Sequence, residues 1–473
     1  MAQPTYEPNW NSLTTYPVAS WFRDAKYGIY THWGPYSVPA YGPNGTWYPH
    51  QMYNLESQHY RHHVAKYGHP GKFGYKDFIP MFTAEKFDPE QWADLFRRAG
   101  AQFAGPVAEH HDGFSMWDSK LTKWNSVRMG PKRNIVGELA RAYRAAGMKY
   151  ITTFHHSHNW WFFPTWNDQM DCSNPEWAGL YTRPHAKDER PDAEYLDRWL
   201  GKLVEVIDGY EPDLIWFDFG LGKIMESYRK RFLAYYYNKS VEWGREVVVT
   251  FKKFHGEYHL PPGAGVDDLE VGKKNELTPY KWLTDTTIDA GPQGTWSHVT
   301  NIGFKPVDRL VHNLVDRVSK NGYLLLNVGP RADGTIPEGA QESLLGLGKW
   351  LEVNGEGIFG TVPWYVSGEG PTGGEGGTHF NEDNEPRFTA HDIRFTVKGD
   401  CVYAFVLGRP GDEVRIEKLG KFYEQEIESV SMLGVDGELP WRMDHEGMWI
   451  TAPRKMPCDH AVCLRVKLKA TVM

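Results

Sequence analysis

Short apolar runs of β character alternate with amphipathic helical stretches over the first three-quarters of the chain, and this alternation most limits how it can fold. KYGIYTHWG (26–34) reads as a strand ending at His32. PEQWADLFRRAG then reads as a helix, with Asp88 as N-cap, Pro89 in the first turn and Gly100 as the stop. Its Trp92, Leu95, Phe96 and Ala99 fall at i, i+3, i+4 and i+7, one apolar stripe. FAGPVAEHH (103–111), KYITTFHHSH (149–158), LIWFDFG (214–220), VVVTFKK (247–253) and GYLLLNVGP (322–330) continue the strand series. Helical stretches lie between them at 134–147, 193–209, 223–243 and in VDRLVHNLVDRVSK, while 255–300 reads as irregular. Strands separated by helices form βα units and a parallel sheet. Six or more units in about 350 residues suit a closed (β/α)8-like, TIM-type barrel. An open doubly wound sheet would carry a Gly-rich phosphate loop after its first strand, and THWGPYSVPAYG is not one.

The pattern changes after Trp364. SGEGPTGGEGG (367–377) reads as a Gly-rich linker or long loop. DIRFTVKG, CVYAFVLG, DEVRIEKLG, EIESVSMLG and AVCLRVKLK follow as short alternating strands. The expected division is a barrel domain over 1–360 and a small all-β sandwich over 361–473.

A length of 473 residues suits two or three domains. A net charge of -8 argues against a nucleic-acid partner, and no apolar run is long enough to cross a bilayer. Aromatic residues make up 15% of the chain. That serves a large core, and it also suits a sugar site, where rings pack on the C–H faces of a pyranose. The four cysteines show no metal-ligand spacing. Cys458 and Cys463 are near enough in sequence for a disulfide to be considered. The opening MAQPTYEPNW carries no signal-peptide pattern. A secreted or periplasmic protein with its signal peptide removed would look the same, so the compartment stays open.

Polar residues gather where the strands end: His32, His110, His111, His155, His156, Asp218 and Lys252. In a (β/α) barrel the active site lies at that end. Asp218 follows Ile215, Trp216 and Phe217, so its desolvation must be offset by partners; a helix cap is the plainer alternative. A lone strand-end histidine is most often a core residue, but three clusters at one end point to a site. They would hold a metal or bond to substrate hydroxyls. The metal reading is the weaker, since barrel metallohydrolases usually place an HxH pair on the first strand, which here offers His32 alone. Glycoside cleavage needs a second carboxylate, and GAGVDDLEVGKKNELTPYKW supplies Asp267, Asp268, Glu270 and Glu276.

GIYTHWGPYSVPAYG, AEHHDGFSMWDS, WFDFG, LLLNVGP..DGTIP and GEGPT, in this order and spacing, resemble the glycoside hydrolase family 29 α-L-fucosidases from about Trp21 to beyond Gly370. The resemblance implies a retaining exo-α-L-fucosidase that takes terminal α-L-fucose from oligosaccharides or glycoconjugates, with no metal or organic cofactor. It places the nucleophile at Asp218 and fucose-binding histidines at His32, His110 and His111. Trp216 would line the pocket, and His156 falls where the third strand often carries Tyr before Ser. Counting back from Lys281-Trp282 puts the general acid/base at Glu270, with Asp268 and Glu276 open. Trp47 and Trp296 stand as aromatic pocket residues. Two positions depart from the family pattern: Thr46 where many members have Glu before the WY pair, and Leu283 where others have Glu after KW. A lost carboxylate there would shift sugar specificity, toward a substituted fucose or L-galactose. A sugar-binding protein without turnover and a barrel metallohydrolase are the rival readings.

Overall fold

The structure is a computed structural model that describes residues 5–253, 260–291, 294–372, 379–382 and 387–470. Eight parallel strands close into a barrel: β1 (Tyr27–Thr31), β2 (Phe103–Glu109), β3 (Lys149–Phe154), β4 (Leu214–Phe217), β5 (Val248–Lys252), β6 (Val266–Asp268), β7 (Trp282–Thr287) and β8 (Gly322–Val328), with β8 paired back to β1. Side chains alternate across each strand. Tyr30, Val107, Ile151, Leu214, Trp216 and Leu283 fill the lumen. Ile29, Ala104, Tyr150, Ile215, Phe217 and Leu326 face the surrounding helices.

The helices form where the sequence is amphipathic and capped. In Pro89–Arg98, the Asp88 carboxylate accepts from the Gln91 N–H, and Gly100 leaves the helix at φ 84°. Ala193–Tyr210 starts the same way at Asp192, and Val307–Ser319 and Glu338–Asn354 complete the outer ring near the chain's second domain. Two strands, β6 and β7, lie inside the stretch read as irregular. Their lumen-facing positions include Asp268, Leu283 and Asp285, so polar residues stand on both faces and the apolar alternation is broken. Residues 255–259 and 292–293 of that stretch lie outside the described residues.

The C-terminal domain pairs a five-stranded antiparallel sheet with a three-stranded one. The first contains β9 (Val362–Glu369), β10 (Ile393–Lys398), β11 (Cys401–Val406), β13 (Ile427–Met432) and β16 (Val462–Leu468). The second contains β12 (Glu413–Ile416), β14 (Trp441–Asp444) and β15 (Gly447–Thr451). Phe395, Val402 and Leu464 of one sheet share an apolar core with Val414, Ile416 and Met448 of the other. Because β9 already pairs with β10, Ser367–Glu369 is strand. The Gly-rich stretch therefore lies within this domain, in the β9–β10 connection, and does not join it to the barrel; residues 373–378 lie outside the described residues. All four cysteines are free thiols, so no Cys458–Cys463 disulfide forms. No helix among the described residues is long and apolar enough to cross a membrane.

Candidate active site

The strand ends bring four carboxylates and one lysine together. Lys252, last residue of β5, points Nζ at Asp218 Oδ1 (2.9 Å), Glu270 Oε1 (3.0 Å) and Asp285 Oδ2 (3.2 Å). Asp218 stands one residue past β4, Glu270 two past β6, and Asp285 within β7. All are buried. Trp216 and Trp296 place their rings 5.0 and 5.2 Å from the lysine Nζ. Asp268 completes the group: its carboxylate accepts from Trp216 Nε1 (3.0 Å) and from the Asp285 backbone N–H (2.9 Å). The Tyr30 hydroxyl donates to Asp285 Oδ2 (3.0 Å).

These surroundings drive the carboxyls apart in acidity. Burial pushes the Asp218 carboxyl up, but the Lys252 charge and the hydrogen bonds from His111 and Lys252 outweigh it and hold the group well below the usual carboxylate range. Burial also pushes Glu270 up, and Lys252 offsets it only in part while Asp285 and Asp218 add to it, so Glu270 stands at about 8. Asp268 is raised by burial and by Asp285. Lys252 loses to burial but gains more from the four carboxylates, and stays charged. One carboxyl held ionised beside one held protonated is the acid–base asymmetry that glycosidic cleavage uses.

The histidines form the other wall. His111 sets Nδ1 2.6 Å from the His155 carbonyl and Nε2 3.1 Å from Asp218 Oδ2. Asn327, from β8, donates its amide to Thr287 Oγ1 and to the Trp296 carbonyl, which turns its Oδ1 toward His32. His32 Nδ1 therefore donates to that oxygen at 2.8 Å, leaving Nε2 as an acceptor 3.1 Å from His155 Nε2. His110 stacks on His155 with ring centroids 4.6 Å apart. Nδ1 of His110 and Nδ1 of His155 are buried without a hydrogen-bond partner. An unmet buried polar atom is costly, and a sugar hydroxyl would relieve it. Burial holds His32 down at about 3 and lowers His110 and His155, so these rings are neutral. One nitrogen each from His32, His110 and His155 lie within 4.8 Å of one another, a spacing that would also accept a transition-metal ion.

Of the residues expected from sequence, Asp218, Glu270, His32, His110, His111, Trp216 and Trp296 converge here. Trp47 joins them, its ring 5.7 Å from His111 and 6.0 Å from Phe219. Trp216 has no exposed surface and serves as floor beneath Lys252 rather than as pocket lining. His156 does not converge. Successive side chains past β3 turn to opposite sides, so His155 takes the inner position while His156 stacks on Trp199 and lies 3.2 Å from its carbonyl. Glu276 is exposed on a loop. Thr46 gives its hydroxyl to Asn44, and Leu283 belongs to the lumen core. Sequence reasoning does not reach Asp285 and Asn327, and it gives Lys252 and His155 only as strand-end polar residues. The signal that marked Asp218, one polar residue on an inner strand face, also marks Asn327 in LLLNVGP and Asp285 in WLTDTT.

A sequence model described as alpha-L-fucosidase matches residues 1–356, and one described as alpha-L-fucosidase C-terminal domain matches residues 386–467. The chain belongs to the α-L-fucosidase family. Tissue alpha-L-fucosidase of Rattus norvegicus is 33% identical over 478 residues, covering 100% of this chain and 94% of that protein. Tissue alpha-L-fucosidase of Homo sapiens is 33% identical, covering 96% and 90%. The crystal structure of Thermotoga maritima alpha-fucosidase in complex with fucose superposes with a TM-score of 0.76 at 33% identity, covering 98% of this chain and 100% of that one. The family is one of glycoside hydrolases, and the closed barrel with its antiparallel C-terminal domain is the fold of these relatives.

Proposed function

We propose that this chain is a retaining exo-α-L-fucosidase, with Asp218 as nucleophile and Glu270 as general acid/base. One observation carries the reading: a single ammonium, Lys252, bonds both carboxyls. The two bonds, 2.9 and 3.0 Å, hold both carboxyls on one cation, the close spacing that favours a retaining pair. Retaining pairs stand about 5–5.5 Å apart, and inverting pairs about 6.5–9.5 Å, to admit a water.

In the first step Asp218 attacks the anomeric carbon while Glu270 gives its proton to the leaving oxygen. The glycosidic bond breaks, and fucose becomes esterified to Asp218. Glu270, now ionised, takes a proton from water as that water attacks the same carbon and releases Asp218. Nδ1 of His110 and Nδ1 of His155 take up sugar hydroxyls, and Trp47 packs on the pyranose. The substrates are fucosylated oligosaccharides or glycoconjugates. A second reading, a substituted fucose or another L-sugar such as L-galactose, is favoured by Thr46 and Leu283, which put no carboxylate at these positions: the Thr46 hydroxyl is turned to Asn44, and Leu283 is apolar.

Release of 4-nitrophenol from its α-L-fucoside tests the assignment. Asp218→Ala is expected to lower kcat by on the order of 10⁴-fold. Unchanged turnover in that variant would overturn the nucleophile assignment. Inactivity of the wild type on fucosides, with turnover of another L-sugar, would select the second reading.

A further inference from the structure

Residues 379–382 of the β9–β10 connection lie against the barrel at the segment that carries Glu270. The Glu270 backbone N–H donates to His379 Nδ1 (2.9 Å), and its carbonyl accepts from the Phe380 N–H (2.9 Å). The Val271 carbonyl accepts from the Glu382 N–H (3.0 Å), and the Lys273 N–H donates to Asn381 Oδ1 (3.0 Å). Four residues of the second domain thus run alongside Glu270–Lys273. Both backbone groups of Glu270 are held from that domain.

Two features show that the contact is built in. The first is the anchor. Glu382 is fully buried and its carboxylate is held by Lys305 (2.5 Å), Asn313 (2.9 Å) and Arg317 (3.1 Å) of the barrel. A buried carboxylate needs such partners, and they lock the strap in register. The second is backbone strain. Val271 sits at φ 44° and Phe380 at φ 57°, a left-handed region that a β-branched or bulky residue rarely enters. Such conformations persist where their surroundings over-determine them. Here the Val271 N–H donates to the Asp285 carbonyl (2.8 Å) while its own carbonyl meets Glu382.

His379 does more than cover the segment. Its Nδ1 accepts from Glu270, so Nε2 carries the proton and donates to the Lys253 carbonyl at 2.8 Å. One ring therefore ties the backbone beside Lys252 to the backbone of Glu270.

We propose that His379, anchored through Glu382, is a positioning residue supplied by the C-terminal domain that sets the Glu270 carboxyl at the leaving oxygen. This rests on the acid/base reading of Glu270. A misplacement of about 1 Å can cost about 10²-fold in rate, and here the loss falls on proton donation alone.

The test is leaving-group dependence. Phenyl α-L-fucoside needs its leaving oxygen protonated; 2,4-dinitrophenyl α-L-fucoside does not. His379→Gln keeps a donor near the Lys253 carbonyl and removes the acceptor that faces the Glu270 N–H. It is expected to lower glycosylation, read as kcat/KM, on the phenyl substrate by up to about 10²-fold, with little change on the dinitrophenyl one. His379→Asn keeps an acceptor near the Nδ1 position and should recover much of the loss. A general disturbance of the fold would lower both substrates alike, and that result overturns the proposal. Glu270→Gln, measured beside them, separates the two levels. If it shows the split and His379→Gln does not, the positioning role falls alone. If it responds equally to both substrates, the acid assignment falls and takes the proposal with it.

Discussion

Lys252 is the residue on which the electrostatics of the site turn. It lowers the pKa of Asp218 and of Glu270 together, while burial and the neighbouring carboxylates raise Glu270 to about 8. In the proposed mechanism turnover requires Asp218 ionised and Glu270 protonated. With Asp218 held far down, the wild-type kcat/KM profile should stay flat through mildly acidic pH and fall on the alkaline side near pH 8, as Glu270 loses its proton. Lys252→Met removes the charge that lowers both groups. Both limbs should then move to higher pH: Asp218 needs a higher pH to ionise, and Glu270 keeps its proton longer. A pH series on 4-nitrophenyl α-L-fucoside reads both limbs at once. A fall of both limbs toward acid would contradict the arrangement. The same variant leaves buried carboxylates without their cation, at a cost of about 3–5 kcal/mol in stability, so folding is to be checked by urea titration at each pH.

At the scale of the element, strand faces decide which side chains reach the sugar, and here the sequence was readable in part. The alternation in LIWFDFG places Trp216 and Asp218 inward, as the barrel does. The same period carries on past β3: Ile151, Thr153 and His155 turn inward, while Phe154 and His156 turn outward, His156 onto Trp199. The period therefore selects His155, whereas His156 is the position that the resemblance to the fucosidases implies. β6 and β7 are hidden for a different reason: strands that carry lumen carboxylates lose the apolar pattern by which strands are recognised. Asp285, two residues after Leu283 on the same face, was lost with them. The distinction at β3 is measurable. His155→Ala should raise KM for the aryl fucoside by about 10-fold or more, since it removes the nitrogen proposed to meet a sugar hydroxyl and the partner of His32, each hydrogen bond being worth about 1 kcal/mol or more. His156→Asn should lower thermal stability and leave KM near wild type. A reversal of the two KM values would put the wrong histidine in the pocket.

For the whole molecule, the two domains behave as one body because their contact is core-like. Tyr403, Phe405, Leu407 and Cys463 of the second domain belong to the same buried cluster as Trp350 and Ile358 of the first, and Trp350 Nε1 donates to the Ala461 carbonyl. Across this contact Asp316 of the barrel binds Lys320, at the C-cap of its own helix, and Arg394 of β10, each at 2.7 Å. Burial pushes the Asp316 carboxyl up, but the charges of Lys320 and Arg394 outweigh it and hold the group well below its ordinary 3.8. A carboxyl depressed on folding adds stability that is fully present above its ordinary value and is lost as pH falls through that value toward the folded one. Arg394→Met weakens the depression and leaves Asp316 half-paired, at a cost of about 3–5 kcal/mol near neutral pH. As pH drops below about 4, wild type loses the advantage that the arginine supplied, so the difference between the two proteins should narrow. Urea unfolding at pH 7, 5 and 3.5, followed by tryptophan fluorescence, measures that difference directly. The apolar contact survives the substitution, so one cooperative transition is expected in both proteins. Separate unfolding of the C-terminal domain in wild type would show that the interface does not couple the domains, and a difference that widens toward acid would show that Asp316 is not held ionised by Arg394.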